Sequence, residues 1–286
     1  MTGLALLLVL IAAFAHAAWN YLSKIANGGT AFIWLFSCMS VVCYLPPALW
    51  ILMVQQPVLG WQQFAFMAIS SALHILYYQL LTKGYTCGDL SLVYPLARGT
   101  GPMLSIIAAI IFLGEQPSGI ALAGAGLIGT GIVIMTGNPL KPKDSAAFRP
   151  IIFALFCGVA IAAYTISDKL AVSTYLIPPL LLDWASNLGR VCLLTPYALK
   201  NWDKVKQQWQ NHKMKSLGVG VLCPLAYILV LSAMTFSPVS YIAPAREISI
   251  LIGTLIGAKF LAEKDMKWRL AGATAMVLGL ATLSVG

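Results

Sequence analysis

Charge is missing from this chain over long stretches, and that absence constrains the fold more than any motif. No Asp, Glu, Lys or Arg occurs between Ile25 and Thr82, nor between Ser216 and Ala245. A helix needs about 20 apolar residues to cross the hydrocarbon core of a bilayer, so each stretch holds one or two crossings. Only 9% of the 286 residues are charged, against roughly 25% in a soluble domain. That is too little charge to cover the surface of a soluble fold of this length. The expected class is an all-α integral membrane protein.

Apolar runs bounded by charge and turn residues predict ten transmembrane helices, over 3–23, 30–54, 63–82, 90–114, 119–137, 150–168, 174–199, 216–234, 239–262 and 269–285. Polar linkers are expected at Gly137–Pro150 and Lys200–Lys215. Met1–Ala18 ends in an Ala15-His16-Ala17 triplet that resembles a signal cleavage site. No Lys or Arg precedes the apolar run, so it reads as the first span instead.

The net charge of +9 would suit a nucleic-acid binder. Its placement, in short connections between apolar runs, suits the positive-inside rule instead, so membrane lipids are the expected partners and nucleic acid is not. The six cysteines fall in or beside apolar segments without a CxxC pair, which predicts free thiols and neither a disulfide framework nor a metal site. No cofactor is expected.

An offset of 148 lays Pro95-Leu96-Ala97-Arg98 over Ala243-Pro244-Ala245-Arg246 and Glu115 over Glu263. The same offset pairs Gly124 with Gly272 and Gly131 with Gly279. An offset of 145 lays Ala17-Ala18-Trp19 through Lys24 over Ala162-Ala163-Tyr164 through Lys169. Charged and glycine positions recurring in order predict an internal repeat, with halves at 1–138 and 149–286. Five crossings per half make the repeats inverted. The expected architecture is two inverted five-helix repeats around a central cavity. Loops after odd-numbered spans carry thirteen Lys and Arg, those after even-numbered spans only Lys169. The odd loops are therefore expected in the cytoplasm, and both termini outside an inner or plasma membrane.

Ionisable groups inside spans are costly and mark function by default. Arg98 and Arg246 occupy equivalent repeat positions, and Glu247 comes directly after Arg246. Neighbours in sequence cannot face each other on a helix, so at least one of Arg246 and Glu247 needs a partner elsewhere. Asp183 and Arg190 lie about two turns apart on one face of the seventh span. Asp183 and Glu247 are candidates for proton coupling, Asp183 ahead of Glu247. His16 and His74 lie near mid-span and are either hydrogen-bonded core residues or substrate and proton contacts. Two prolines and two glycines in Tyr94–Pro102, and Pro238 and Pro244 bracketing the start of the ninth span, point to a polar cavity between the halves. Trp19, Asn20, Tyr77, Tyr78, Gln79, Tyr164 and Tyr227 would face it or pack nearby. Ala121, Ala125 and Gly129 permit close helix packing, and Glu115 and Glu263 are expected as caps or inter-repeat pairs.

With His16-Ala17-Ala18-Trp19-Asn20, the stretch Val93–Pro102, Ala245 through Ser249 and the paired Leu-x-Glu motifs, the chain resembles the EamA-type transporters of the drug/metabolite transporter superfamily along essentially its whole length. The resemblance implies a basket of two inverted repeats with the fifth and tenth helices peripheral, moving small metabolites and often exporting amino acids. Ile161 and Thr165 stand where a second His and Asn would, so the halves differ in chemistry. No GxxxxGK[ST] occurs to bind ATP. The expected function is a secondary carrier of a small polar or amphipathic, amino-acid-like metabolite by alternating access, as monomer or homodimer. A lipid-linked-substrate flippase and an intramembrane enzyme are the alternatives, the latter without an HExxH or GxGD motif.

Overall fold

The computed structural model describes residues 1–26, 28–87, 90–136, 148–252 and 266–286. Ten helices are defined among them: α1 (Gly3–Ala26), α2 (Gly29–Trp50), α3 (Trp61–Cys87), α4 (Leu90–Leu113), α5 (Gly119–Thr136), α6 (Phe148–Ser173), α7 (Pro179–Lys200), α8 (Trp202–Phe236), α9 (Val239–Ala245) and α10 (Met266–Val285). No strand occurs among the described residues. Glu263, the second half of the ninth expected span and most of the Gly137–Pro150 linker lie outside them.

Length and composition suit membrane crossing over Gly3–Ser23, Gly29–Gln55, Trp61–Leu81, Arg149–Ser173 and Trp202–Phe236. The outward faces match: Phe14 is 63% exposed and Phe112 75%. Large apolar side chains without cover are in place against lipid, where the backbone's own polar groups must be satisfied within each helix. Polar groups turn inward instead, and α7 buries Asp183, Ser186, Asn187 and Arg190.

Pairs of equivalent helices show how the halves are related. Trp34, Ser37 and Val41 of α2 bond to Thr195, Arg190 and Trp184 of α7, rising numbers meeting falling ones. A Cβ on Gly124 of α5 would meet the Gly279 carbonyl of α10, and one on Gly131 would meet that of Gly272, each at 2.7 Å. Both pairs therefore run antiparallel, and helices in equivalent places pointing in opposite directions make the repeats inverted. The remaining packing obeys the same exchange, since α1 lies on α8 as α6 lies on α3, and α2 on α8 as α7 on α3. The glycines aligned by the 148-residue offset are the ones that let α5 and α10 touch backbone to backbone, while Ala121 and Ala125 are buried beside them.

Several boundaries differ from the sequence reading, and α3, like α6, runs five residues past its expected end, so Lys83 lies on the helix. The expected linker Lys200–Lys215 is helical, because it is amphipathic: Val205 is buried with Ala31, Leu35 and Ala198 while Lys204 and Lys206 face out. This segment is set off from the membrane-crossing part of α8 by a break at His212 (φ −138°, ψ 23°). The α6 helix continues to Ser173, five residues past the expected end, so Lys169 lies on α6 and not in a loop. The next helix starts at Pro179 and not at 174, since Pro178 is extended and a proline at the first helical position gives up no bond. Finally, α9 stops at Ala245.

Candidate functional site

The two repeat-related arginines converge on one carboxylate. Arg98 Nη2 lies 2.9 Å from Glu247 Oε2, and Arg246 Nε donates to Glu247 Oε1 at 3.2 Å. Arg98 Nη2 also reaches Ser249 Oγ at 3.4 Å. All three ionisable groups are buried, Glu247 to 1% exposure. Arg98 comes from the first half, the other two from the second.

The contact between Arg246 and Glu247 corrects the expectation that sequence neighbours cannot meet. That rule holds within an α-helix, and the helix ends here. The amides of Glu247, Ser249 and Ile250 donate to the carbonyls of Pro244, Arg246 and Glu247, three residues back in each case. Such 3₁₀-type bonding winds the chain tighter than an α-helix. It presents both charges to the same space, and helical backbone resumes over 248–252. Glu247 still takes its second partner from elsewhere in the chain, Arg98.

Beside this triad lies a cluster of rings. Tyr164 of α6 stacks on His74 of α3 with centroids 4.3 Å apart, and Tyr227 of α8 meets His74 edge-on at 5.2 Å. Tyr77 closes on Tyr164 at 5.9 Å. The Arg246 guanidinium lies 5.9 Å from the Tyr164 centroid, which joins triad and rings into one site. His74 Nδ1 faces the Ser70 carbonyl at 2.9 Å. His16 of α1 sits edge-on to Trp19 at 5.0 Å. Asn20 donates to the His16 carbonyl at 2.7 Å, so its amide is tied to its own helix.

Tyr78 belongs to a second polar cluster. The Arg190 guanidinium lies 4.9 Å from its ring centroid and donates to Asn187 Oδ1 at 3.3 Å and Ser37 Oγ at 3.5 Å. Asn187 in turn donates to Asp183 Oδ2 at 2.9 Å. One amide thus links a carboxylate and a guanidinium that stand two turns apart. Asn187 was missed from sequence, although its spacing, four after Asp183 and three before Arg190, is that of helix neighbours.

Asp168 was missed as well. It is fully buried (0%), and Tyr227 Oη donates to its Oδ2 at 2.5 Å. Its signal was hidden by the assumed end of the sixth span, which put it at the membrane edge. Glu115, expected as a cap or inter-repeat pair, accepts from the Val239 and Ser240 amides at 2.7 and 2.9 Å. It caps the α9 N-terminus from the other repeat. Lys169 Nζ donates to the carbonyls of Met234 and Ser237 at 2.6 and 3.0 Å. Among the described residues no group of three His, Cys, Asp or Glu is placed to hold a metal ion.

Inverted five-helix repeats, apolar outer faces and a buried ionic cluster shared by both halves define a multi-pass helical membrane protein. The sequence profile of the EamA-like transporter family matches the chain twice, over residues 3–137 and 148–285. The chain belongs to that family. A crystal structure described only as that of a protein superposes with a TM-score of 0.77 at 13% identity, covering 97% of this chain and 98% of the other, and it supports the fold alone. No curated protein matches the sequence.

Proposed function

We propose that the protein is a secondary carrier that exports a small amino-acid-like metabolite by alternating access. The carrying observation is the Arg98–Glu247–Arg246 triad, shared between inverted halves. Two guanidiniums against one carboxylate leave one positive charge over, and Arg246 Nη2 has no hydrogen-bond partner among the described residues. A substrate carboxylate would supply both the missing charge and the missing acceptor. Its ammonium group could compete for Glu247, and its side chain would lie against Tyr164, Tyr227 and His74. Because the triad ties the halves together without substrate, binding that reorganises it would favour the alternate arrangement.

The test is uptake by proteoliposomes offered each of the twenty amino acids and simple carboxylates. Arg246→Ala should cut transport of the accepted compound at least about tenfold, the worth of one charge-assisted contact of roughly 1.4 kcal/mol, while membrane insertion persists, since removing a buried charge eases insertion. Wild-type rates in Arg98→Ala and Arg246→Ala together would sink the reading. The same proposal places the helical segment around Lys204 and Lys206 in the cytoplasm and Gly286 outside, on the thirteen-to-one charge asymmetry. A reporter fused at Gly286 that is active only in the cytoplasm would overturn that orientation.

A further inference from the structure

We infer that Asp168 is the proton-exchanging carboxylate of this carrier, with Tyr227 as the hydroxyl that ties it to the substrate site. The inference rests on the carrier reading above and adds the coupling ion to it.

Among the described residues three buried carboxylates lie inside the helix bundle, and they differ in compensation. Glu247 is held by Arg98 and Arg246. Asp183 is linked to Arg190 through Asn187. Asp168 has no ion-pair partner among the described residues. From α8 it receives the Tyr227 hydroxyl, and its Oδ1 has no hydrogen-bond partner. From α3 the Ser70 hydroxyl is close enough to interact, with His74 one turn further along and its Nδ1 turned to the Ser70 carbonyl. From α7 the nearest acidic group is another carboxylate, Asp183, which adds a like charge and no compensation. The charged groups of the other packed elements are engaged elsewhere: Arg98 of α4 and Arg246 of α9 with Glu247, and Lys169 of α6 itself with carbonyls of Met234 and Ser237. A bare carboxylate in an apolar interior is too costly to leave uncompensated. With no cation paired to it among the described residues, a proton on Oδ1 is the compensating charge that fits beside a hydroxyl donor on Oδ2.

Position makes the group useful. Tyr227 packs on His74 and lies 6.2 Å from Tyr164, the ring that touches Arg246, so rearrangement at the triad reaches Asp168 through two rings. The next residue, Lys169, lines a cleft of about 550 Å³ with Glu115, Ser173 and Ser237, and Asp168 itself stays buried behind that lining. The chemistry is a simple exchange. One proton adds to the Asp168 carboxylate from one side of the membrane and leaves to the other when the bundle inverts, while the phenol keeps its own proton.

The test uses the full-length protein in liposomes, with two readouts. Infrared difference spectra over a pH titration should show a carboxylic-acid C=O band that titrates in wild type, disappears in Asp168→Asn and survives in Asp183→Asn. Tyr227→Phe should shift the band, because it removes the donor at Oδ2. In the transport arm, a pH gradient should drive accumulation of an accepted amino acid by wild type, whereas Asp168→Asn should exchange it without accumulating it. A band unchanged in Asp168→Asn, wild-type accumulation by that variant, or wild-type transport indifferent to the gradient would each overturn the inference. Should wild type move none of the amino acids and carboxylates, the carrier reading fails, and the infrared arm still decides whether Asp168 exchanges protons.

Discussion

The α4 and α9 helices occupy equivalent places in the two repeats, begin in the same way and then diverge. Each has a proline at its sixth residue, Pro95 and Pro244, and an arginine shortly after, Arg98 and Arg246. The α4 helix runs unbroken to Leu113, whereas α9 stops at Ala245 and passes through 3₁₀-type bonds. The prolines stand one position apart in the repeat alignment, three residues before Arg98 and two before Arg246. The three residues after the arginine differ: Gly99, Thr100 and Gly101 in the first half, Glu247, Ile248 and Ser249 in the second. In the first half the small residues serve packing. A Cβ on Gly101 would stand 2.7 Å from Ile161, and one on Gly158 would collide with Thr100, so α4 and α6 approach here as closely as glycine permits. In the second half the same positions carry the carboxylate and the hydroxyl that Arg98 reaches. Inverted repeats thus share a backbone plan and divide the labour, one half supplying close packing and a single charge, the other the counter-charge.

The largest effect should come from removing that counter-charge. Glu247→Ala leaves two guanidiniums buried without a carboxylate, and breaking a buried pair by deleting one partner costs roughly 3–5 kcal/mol. The expected outcome is a marked drop in the thermal midpoint of the purified protein and in monodisperse yield. Glu247→Ala combined with Arg98→Met, which restores the balance, should recover part of the loss. A double variant no better than the single one would show that Glu247 matters for something other than pairing.

Next comes the packing side of the comparison. Gly101→Ala forces a methyl against Ile161, at a cost of about 1–3 kcal/mol for an overfilled site. Gly99→Ala, two residues earlier, meets nothing within 4 Å among the described residues and should be neutral or slightly favourable, since Ala suits a helix better than Gly. Equal melting shifts for the two variants would contradict the close approach of α4 and α6.

The difference between the halves also marks where sequence reading works. Apolar length and charge-free stretches made the all-α membrane class legible, because the bilayer imposes both, and the offset of 148 found Arg98, Arg246 and the glycines that meet at α5 and α10. It failed wherever meaning depended on contact. The Arg246–Glu247 pair was judged on helical geometry, and the backbone leaves that geometry at this residue. Asp168 looked peripheral because the sixth helix was ended at the last apolar run, while in the fold Lys169 bonds to the end of α8 and carries the helix one turn further. Asn187 carries no charge, so a search for charged residues passed over the one amide that links two of them. Expected cavity residues also sorted into two clusters, Tyr78 with Arg190 and Tyr164 with Arg246, a division set by helix packing between halves.

The smallest effect tests whether the broken helix is held in place from the other repeat. The α9 helix is seven residues long, too short to be stable alone. Its first two amides are bonded by the Glu115 carboxylate, from the connection after α4. A cap of this kind is worth about 0.5–2 kcal/mol, and a carboxylate also favours the positive end of the helix. Glu115→Gln keeps one acceptor oxygen and should lose less than Glu115→Ala. Both should lower the thermal midpoint by less than Glu247→Ala does. They should also raise amide exchange selectively at Val239 and Ser240, while exchange in α4 beyond Gly99 stays unchanged. Exchange rising equally in both helices would mean that the cap stabilises the whole bundle, and that α9 does not depend on its partner repeat more than α4 does.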